Sequence, residues 1–77
     1  MKSIKIISNE LNISSRTLRY YEEIGLINSS KINKQRFYDD SEISKIVTII
    51  NLRKINLSLS EIKELLNKNT YNDRDYY

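Results

Sequence analysis

Cysteine, histidine, proline and tryptophan are all absent from this chain of 77 residues. Without cysteine and histidine the chain can form no disulfide, has no thiolate nucleophile or imidazole base, and lacks the commonest ligands of transition metals. Its carboxylate pairs, Asp39-Asp40 and Glu22-Glu23, are chain neighbours that point apart and have no nucleophilic partner. We therefore expect no enzymatic activity, no cofactor and no metal.

Long apolar runs are also missing, and none approaches the roughly 20 residues that a membrane-spanning helix needs. The N-terminal segment reaches Asn9 and Glu10 before an apolar core of signal-peptide length develops. A chain of this length forms one domain, and its 39% hydrophobic and 30% charged residues suit a helical soluble domain. We expect a cytoplasmic protein.

Positive charge is concentrated in the N-terminal half. Residues 1–36 contain seven basic and three acidic side chains, a net of +4, whereas the remainder carries −1 and the whole chain +3. This distribution is compatible with a polyanionic partner.

Two short helices joined by a tight turn are predicted next. The first starts at the cap Ser3 and has one apolar face, formed by Ile4, Ile7 and Leu11.

The second helix follows a short turn. Asn12 tolerates the left-handed conformation that ends the first helix, and Ser14 caps the second, which runs to about Ile24, before the single glycine Gly25. Leu18, Tyr21 and Ile24 should face the core. Such a pair is a helix-turn-helix unit, whose second helix is the one that enters a DNA groove.

The rest of the predicted domain is a hairpin followed by two helices. Residues 26–38 resemble a twisted hairpin, or wing, with the turn-prone Asn33 in its middle. Capping-box patterns start a third helix at Asp39 with Glu42 and a fourth at Ser58 with Glu61. Their apolar faces are predicted to be Ile43, Ile46, Val47 and Ile50 in the third, and Ile62, Leu65 and Leu66 in the fourth.

The predicted fold class is therefore mainly all-α: four helices with a two-stranded hairpin, a winged helix-turn-helix over residues 1–66. Residues 67–77 are polar and without periodicity, and we expect a frayed or truncated tail. Because that tail offers too little helix for dimerisation, the free chain should be monomeric.

The segment SSRTLRYYEEIGL, residues 14–26, resembles the signature of MerR-type transcription regulators. The segment QRFY at residues 35–38 is similar to that family's Tyr-Arg-x-Tyr wing strand, and NLSLSEI at residues 56–62 is similar to its Gly-Phe-Ser-Leu-x-Glu-Ile segment. The resemblance implies sequence-specific binding of promoter DNA, with the second helix in the major groove and the wing against the backbone or minor groove. It also implies a bacterial, nucleoid-associated protein.

The sequence departs from the family pattern at several positions. Gln35 stands where the family usually has Tyr, and Ser15 replaces a frequent Pro at the first helical position. Asn12 and Asn56 replace glycines, which Asn can imitate in the left-handed region. The long dimerisation helix and effector domain of typical members do not follow Leu66, so we expect either an N-terminal fragment or a stand-alone member.

The predicted DNA-contacting residues lie on the second helix and the wing. They are Ser14, Ser15, Arg16, Thr17, Arg19, Tyr20, Tyr21, Lys31, Lys34, Arg36 and Tyr38. Arginine can read guanine through two hydrogen bonds or only neutralise phosphate. One alternative is that Arg19 pairs with Glu22 or Glu23 on its own helix. Another is that Ser14 is simply a helix cap. A third is that Lys31 and Lys34 only keep an edge strand from aggregating with other chains.

The two tyrosines of the second helix are adjacent and lie about 100° apart around it, so they cannot share a role. We expect Tyr21 to be partly in the core and Tyr20 to donate its hydroxyl to a phosphate. The alternative is that both pack the helix onto the wing.

Two alternative functions stay open at this point. One is an architectural or excisionase-like factor that assembles on direct repeats with recombination proteins, whereas the regulator reading implies RNA polymerase as a partner. The other is a protein-interaction adaptor that docks through Tyr71, Tyr76, Tyr77 and the fourth helix. DNA binding should weaken steeply with salt, but an apolar docking face should not.

Overall fold

A computed structural model describes the backbone of residues 1–75 and the side chains of residues 1–67. Four helices and three short strands follow one another in residues 1–75. In order they are β1 (Lys2–Ser3), α1 (Ile4–Leu11), α2 (Ser15–Glu23), β2 (Ser30–Ile32), β3 (Gln35–Tyr38), α3 (Asp40–Lys54) and α4 (Leu59–Asp75). This is the predicted mainly helical winged helix-turn-helix.

One core joins the four helices to strand β3. It consists of the apolar or aromatic residues Ile7, Leu18, Tyr21, Leu26, Ile27, Tyr38, Ile46, Ile49 and Ile62. Each fully buried Leu or Ile stabilises the fold by about 1.5–3 kcal/mol relative to an exposed side chain. Among the described residues no polar or charged side chain is buried, so the interactions of charged groups all lie at or near the surface.

The two helices of the helix-turn-helix unit begin at the predicted caps. The Ser3 hydroxyl accepts the backbone N–H of Ile6 at 3.3 Å, and the Ser14 hydroxyl accepts that of Thr17 at 3.0 Å. Asn12 ends α1 in the left-handed conformation with φ of 54°. The two hydrogen bonds satisfy N–H groups that helix ends leave without partners and fix where α1 and α2 start, and Asn12 fixes where α1 stops.

The later helices have caps of two kinds. Ser58 and Glu61 form a complete capping box, with the backbone N–H of each accepted by the side chain of the other at 2.9 and 3.1 Å. Asp39 caps α3, but the Glu42 carboxylate accepts the backbone N–H of Asn28 at 2.8 Å instead of returning to Asp39. The predicted box at α3 is therefore only half formed, because Glu42 holds the chain that leads into the wing.

The same hydrogen bonds lower two pKa values. The N–H of Glu42 lowers the pKa of Asp39, and the N–H of Ser58 lowers that of Glu61. A carboxyl whose pKa is lower in the folded state stabilises the fold above its ordinary pKa. These caps therefore weaken in acid, as the pH falls from about 4 through the lowered values.

The apolar faces of the last two helices differ in part from the prediction. Val47 and Leu65 are 38% and 39% exposed, whereas Ile49, which the prediction omitted, is fully buried with Ile46. Apolar residues lie nearly all around α3, so spacing alone could not select its buried side. The position of α3 against β3 and α4 makes that choice.

The sheet has three strands where two were predicted. All pair antiparallel in the order β1–β3–β2, and Ser3 of β1 lies opposite Phe37 of β3. Strand β1 has only two residues, too few for an alternation that a sequence pattern could show. Since β1 leads directly into α1, it fastens the wing to the start of the first helix.

Helix α4 continues beyond residue 66, where the polar tail was predicted to begin, as far as Asp75. The side chain of Tyr71, and Tyr76 and Tyr77 entirely, lie outside the described residues, so the docking face suggested for them stays a prediction. The boundary at residue 66 and the monomeric state stay predictions as well. None of the helices in residues 1–75 has both the length and the apolar composition to cross a membrane.

The turn of the wing contains a lysine in a conformation that favours glycine. Ile32 pairs with Gln35, and the two residues between them, Asn33 and Lys34, have φ of 51° and 67°. Positive φ at both positions is typical of the type I′ turn, where Asn-Gly is preferred. Lys34 therefore destabilises the turn, since a left-handed conformation costs roughly 1–2 kcal/mol for a residue with a Cβ atom.

We predict that Lys34→Gly raises the free energy of unfolding by about 0.5–1 kcal/mol. This net gain is smaller than the strain that is relieved, because glycine loses more chain entropy on folding than lysine does. Denaturant unfolding followed by circular dichroism measures this change. Lys31→Gly is the matched control because Lys31 lies in β2, where glycine should destabilise by about 0.5–1 kcal/mol. Equal losses of unfolding free energy in the two variants would contradict the backbone strain inferred at Lys34.

Candidate nucleic-acid interface

The rotation of α2 about its axis is set by its buried side. Leu18 is fully buried and Tyr21 is 7% exposed, so Arg19 and Tyr20, which lie between them, face outward. Arg16, Arg19 and Tyr20 are all exposed, and Tyr20 is 48% so. The predicted division of the two tyrosines, with Tyr21 in the core and Tyr20 outside, is confirmed.

Neither Arg16 nor Arg19 forms an ion pair within residues 1–67. The ion pair between Arg19 and Glu22 or Glu23, which the sequence offered as an alternative, is therefore not formed within residues 1–67. Two cations that project from one helix face and form no ion pair there are suited to binding an anionic partner. Glu23 is exposed close by and is the acidic residue of this face.

The hydroxyls at the start of α2 have structural partners. The Ser14 and Thr17 hydroxyls lie 2.8 Å apart, and Ser14 also caps the helix. Ser15, the first residue of α2, is half-buried. Ser14 therefore has the capping role that the sequence suggested as an alternative, although its side chain is exposed at the same surface.

Glu22 joins α2 to the wing and is the residue whose role the sequence did not indicate. Its carboxylate accepts hydrogen bonds from the Ser29 hydroxyl at 2.7 Å and from Arg36 Nε at 3.1 Å. The Tyr38 hydroxyl lies 3.4 Å from the same carboxylate, a long and weak hydrogen bond. With 21% of its side chain exposed, Glu22 is shielded enough for these contacts to fix the wing against the helix.

Arg36 keeps part of its hydrogen-bonding capacity. Its Nε donates to Glu22, and its terminal Nη groups have no partner among the described side chains and backbone. A guanidinium held at one edge with its other edge open is pre-organised to bind a phosphate oxygen. Lys31 lies directly opposite Arg36 across the two strands, so the wing presents two cations side by side.

Tyr38 is not at this surface. It is fully buried beneath the wing, and its burial, followed by the Glu22 carboxylate, raises the pKa of its hydroxyl to about 12. A side chain with no exposed surface offers DNA nothing to contact, so this conformation gives no support to the predicted backbone contact by Tyr38. Tyr21, which is 7% exposed, offers little more surface, and its predicted contact with DNA stays a prediction. Both contribute to the core that supports the interface.

Two clefts open between α2 and the wing, and Arg19 and Arg36 line both. The helix cleft, of about 520 Å³, is lined by Arg16, Arg19, Tyr20, Glu23 and Arg36. The wing cleft, of about 390 Å³, is lined by Ser3, Ile4, Lys5, Ser15, Arg19, Lys34, Gln35 and Arg36. The fold thus brings together most of the predicted contact residues and adds Lys5, while Lys31 lies on the wing beyond either cleft.

Within the part of the chain whose side chains are described, no three Asp or Glu side chains converge as a metal site would require.

The chain matches the model of the MerR HTH family regulatory protein over residues 2–69. It is 38% identical over 66 residues to the HTH-type transcriptional regulator ZntR homolog of Haemophilus influenzae, covering 83% of this chain and 49% of that protein. It is 36% identical to the uncharacterized HTH-type transcriptional regulator YyaN of Bacillus subtilis, covering 83% and 48%.

A third relative, the HTH-type transcriptional regulator CueR of Bacillus subtilis, is 31% identical over 55 residues, which are 70% of this chain and 38% of the relative. The chain thus spans about half the length of the first two relatives. The matched regions include α1, α2, the wing and α3 in the observed order. On this evidence the chain belongs to the MerR HTH family of regulatory proteins.

Proposed function

We propose that this chain binds double-stranded DNA with α2 and the wing, as the DNA-binding part of a bacterial transcription regulator. The observation that carries the proposal is the outward face of α2, where Arg16 and Arg19 are exposed and form no ion pair within residues 1–67, while Leu18 anchors the opposite side. Membership of the family and the names of its relatives support the same function.

In this proposal α2 enters the major groove. Arg16 and Arg19 then reach base edges or phosphates, and Tyr20 donates its hydroxyl to a phosphate. The wing lies against the adjacent backbone, where Arg36 offers its open Nη groups, with Lys31 and Lys34 beside it. Glu22 keeps helix and wing at a constant separation, so one docking geometry serves both contacts.

A single module of this kind buries only roughly 600–1,000 Å² on DNA and should bind weakly unless two copies act together. A pair of domains bound to one promoter could bend and untwist it, which would make the deformability of the DNA part of the recognition. RNA polymerase or recombination proteins as further partners, and the nucleoid location, stay predictions from the resemblance.

The test is a titration of the chain with a duplex at several salt concentrations. For about four phosphate contacts we expect log K to fall with log salt at a slope of roughly −3.6. A steep slope separates phosphate neutralisation from the adaptor alternative, in which an apolar face binds a protein. Binding that does not change between about 50 and 200 mM salt would overturn the proposal.

A further inference from the structure

The wing cleft differs from the helix cleft in its charge. Four of its lining residues are cationic: Lys5 from α1, Arg19 from α2, and Lys34 and Arg36 from the wing. No acidic residue among the described side chains lines it, whereas Glu23 lines the helix cleft. Like charges gathered around one concavity repel one another and create a positive potential that an anion relieves.

A comparison of Lys2 with Lys5 shows that the charge of Lys5 is not neutralised within the described residues, whereas Arg36 is already paired with Glu22 through its Nε. Lys2 Nζ lies 2.8 Å from Glu10 Oε1, and that contact raises the pKa of Lys2. Lys5, three residues later and also exposed, forms no ion pair or side-chain hydrogen bond within residues 1–67. Its charge is therefore available to a ligand in the cleft.

The turn of the wing gives a second, independent observation. Lys34 occupies a left-handed position, with φ of 67°, where glycine would be more stable, and it also lines the wing cleft. Backbone strain of this kind is concentrated at functional positions, where a particular side chain offsets the cost. Here the side chain at the strained position is a cation directed to the same cleft as Lys5.

We infer that the wing cleft binds a backbone phosphate of duplex DNA, with Lys5 of α1 as a phosphate contact opposite Lys34 and Arg36. This inference rests on the proposed function and adds a residue of α1, outside the contacts assigned to α2 and the wing. A phosphate oxyanion could come from the DNA backbone or from a free phosphate ion. The DNA backbone is favoured because Arg19 and Arg36 line both this cleft and the helix cleft on the face of α2. In this arrangement a DNA strand that runs along α2 also runs over the wing cleft.

The experiment compares Lys5→Gln with Lys2→Gln in duplex titrations over a range of salt. The two variants remove the same charge three residues apart, but only Lys5 lines the cleft. We expect Lys5→Gln to reduce the magnitude of the salt slope by about 0.9 and to weaken specific and unrelated duplexes alike. Lys2→Gln should leave the slope unchanged within error, and the melting temperature of each variant confirms folding.

If the wild-type chain binds DNA and the two variants have equal salt slopes, the assignment of Lys5 is overturned and the proposed function is unaffected. A wild-type chain without salt-dependent binding would instead refute the proposed function itself. A parallel titration with inorganic phosphate at constant ionic strength separates the sources of the anion. Saturable, Lys5-dependent binding of phosphate together with Lys5-independent binding of DNA would assign the cleft to a free anion and also overturn the inference.

Discussion

Replacing Leu18 with alanine should lower the free energy of unfolding by about 2–5 kcal/mol. Leu18 is fully buried at the inner side of α2, among the core residues that hold the helix against the rest of the domain. Truncation removes apolar contact and leaves a cavity that a tightly packed core fills only in part. For a domain whose total stability is about 5–15 kcal/mol, a loss of this size unfolds a measurable fraction at ordinary temperature.

The measurement is thermal or urea unfolding followed by circular dichroism, and the control is Ile55→Ala. Ile55, at the end of α3, is 68% exposed, so its truncation should change stability by less than about 0.5 kcal/mol. If Leu18→Ala melted at the wild-type temperature, α2 would have to be rotated from the orientation described here, and the outward position of Arg19 would no longer follow.

Arg19→Ala should weaken duplex binding by about 5- to 150-fold, which corresponds to roughly 1–3 kcal/mol, and should leave thermal stability unchanged. Arg19 is exposed, has no intramolecular ion pair within residues 1–67, and lines both clefts of the interface. Removing it therefore takes away a contact with DNA but no contact of the folded chain. Fluorescence anisotropy with a labelled duplex measures the loss.

Arg19→Lys separates the two roles that an arginine can have at this position. Lysine keeps the charge but loses the planar pair of donors that reads guanine. If Arg19 reads a base, the lysine variant retains the salt slope and loses discrimination between sequences. If it only neutralises phosphate, the variant binds nearly as the wild type does. Wild-type affinity in the alanine variant would exclude Arg19 from the interface altogether.

The parts of the fold that could be predicted are those encoded by neighbouring residues. Ser14, Asn12 and Gly25 act within one helical turn of their own positions, so their roles follow from local geometry, and the structure has them in those roles. The buried pair Leu18 and Tyr21 follows from spacing alone, because α2 has apolar residues on one side only. The outward direction of Arg16 and Arg19 is a direct consequence.

The parts that could not be predicted depend on contacts distant in sequence. Glu22 lies 14 residues from Arg36, and only the return of the chain through the wing brings them to 3.1 Å. In isolation Glu22 looked like a partner for Arg19 on its own helix. Lys63 likewise donates to the Ile24 carbonyl across 39 residues, which fastens α4 to the end of α2.

By itself, then, the sequence determined the four helices, the serine and aspartate caps at which they begin, and the outward face of α2, because helix periodicity and capping are settled within a few residues along the chain. Tertiary structure alone decided that Tyr38 belongs to the core, that Ile49 is buried and Val47 is not, and that Lys5 shares a cleft with Arg36. The physical reason is that burial and electrostatic proximity depend on which surfaces pack together, and residues far apart in sequence meet only when the chain has folded.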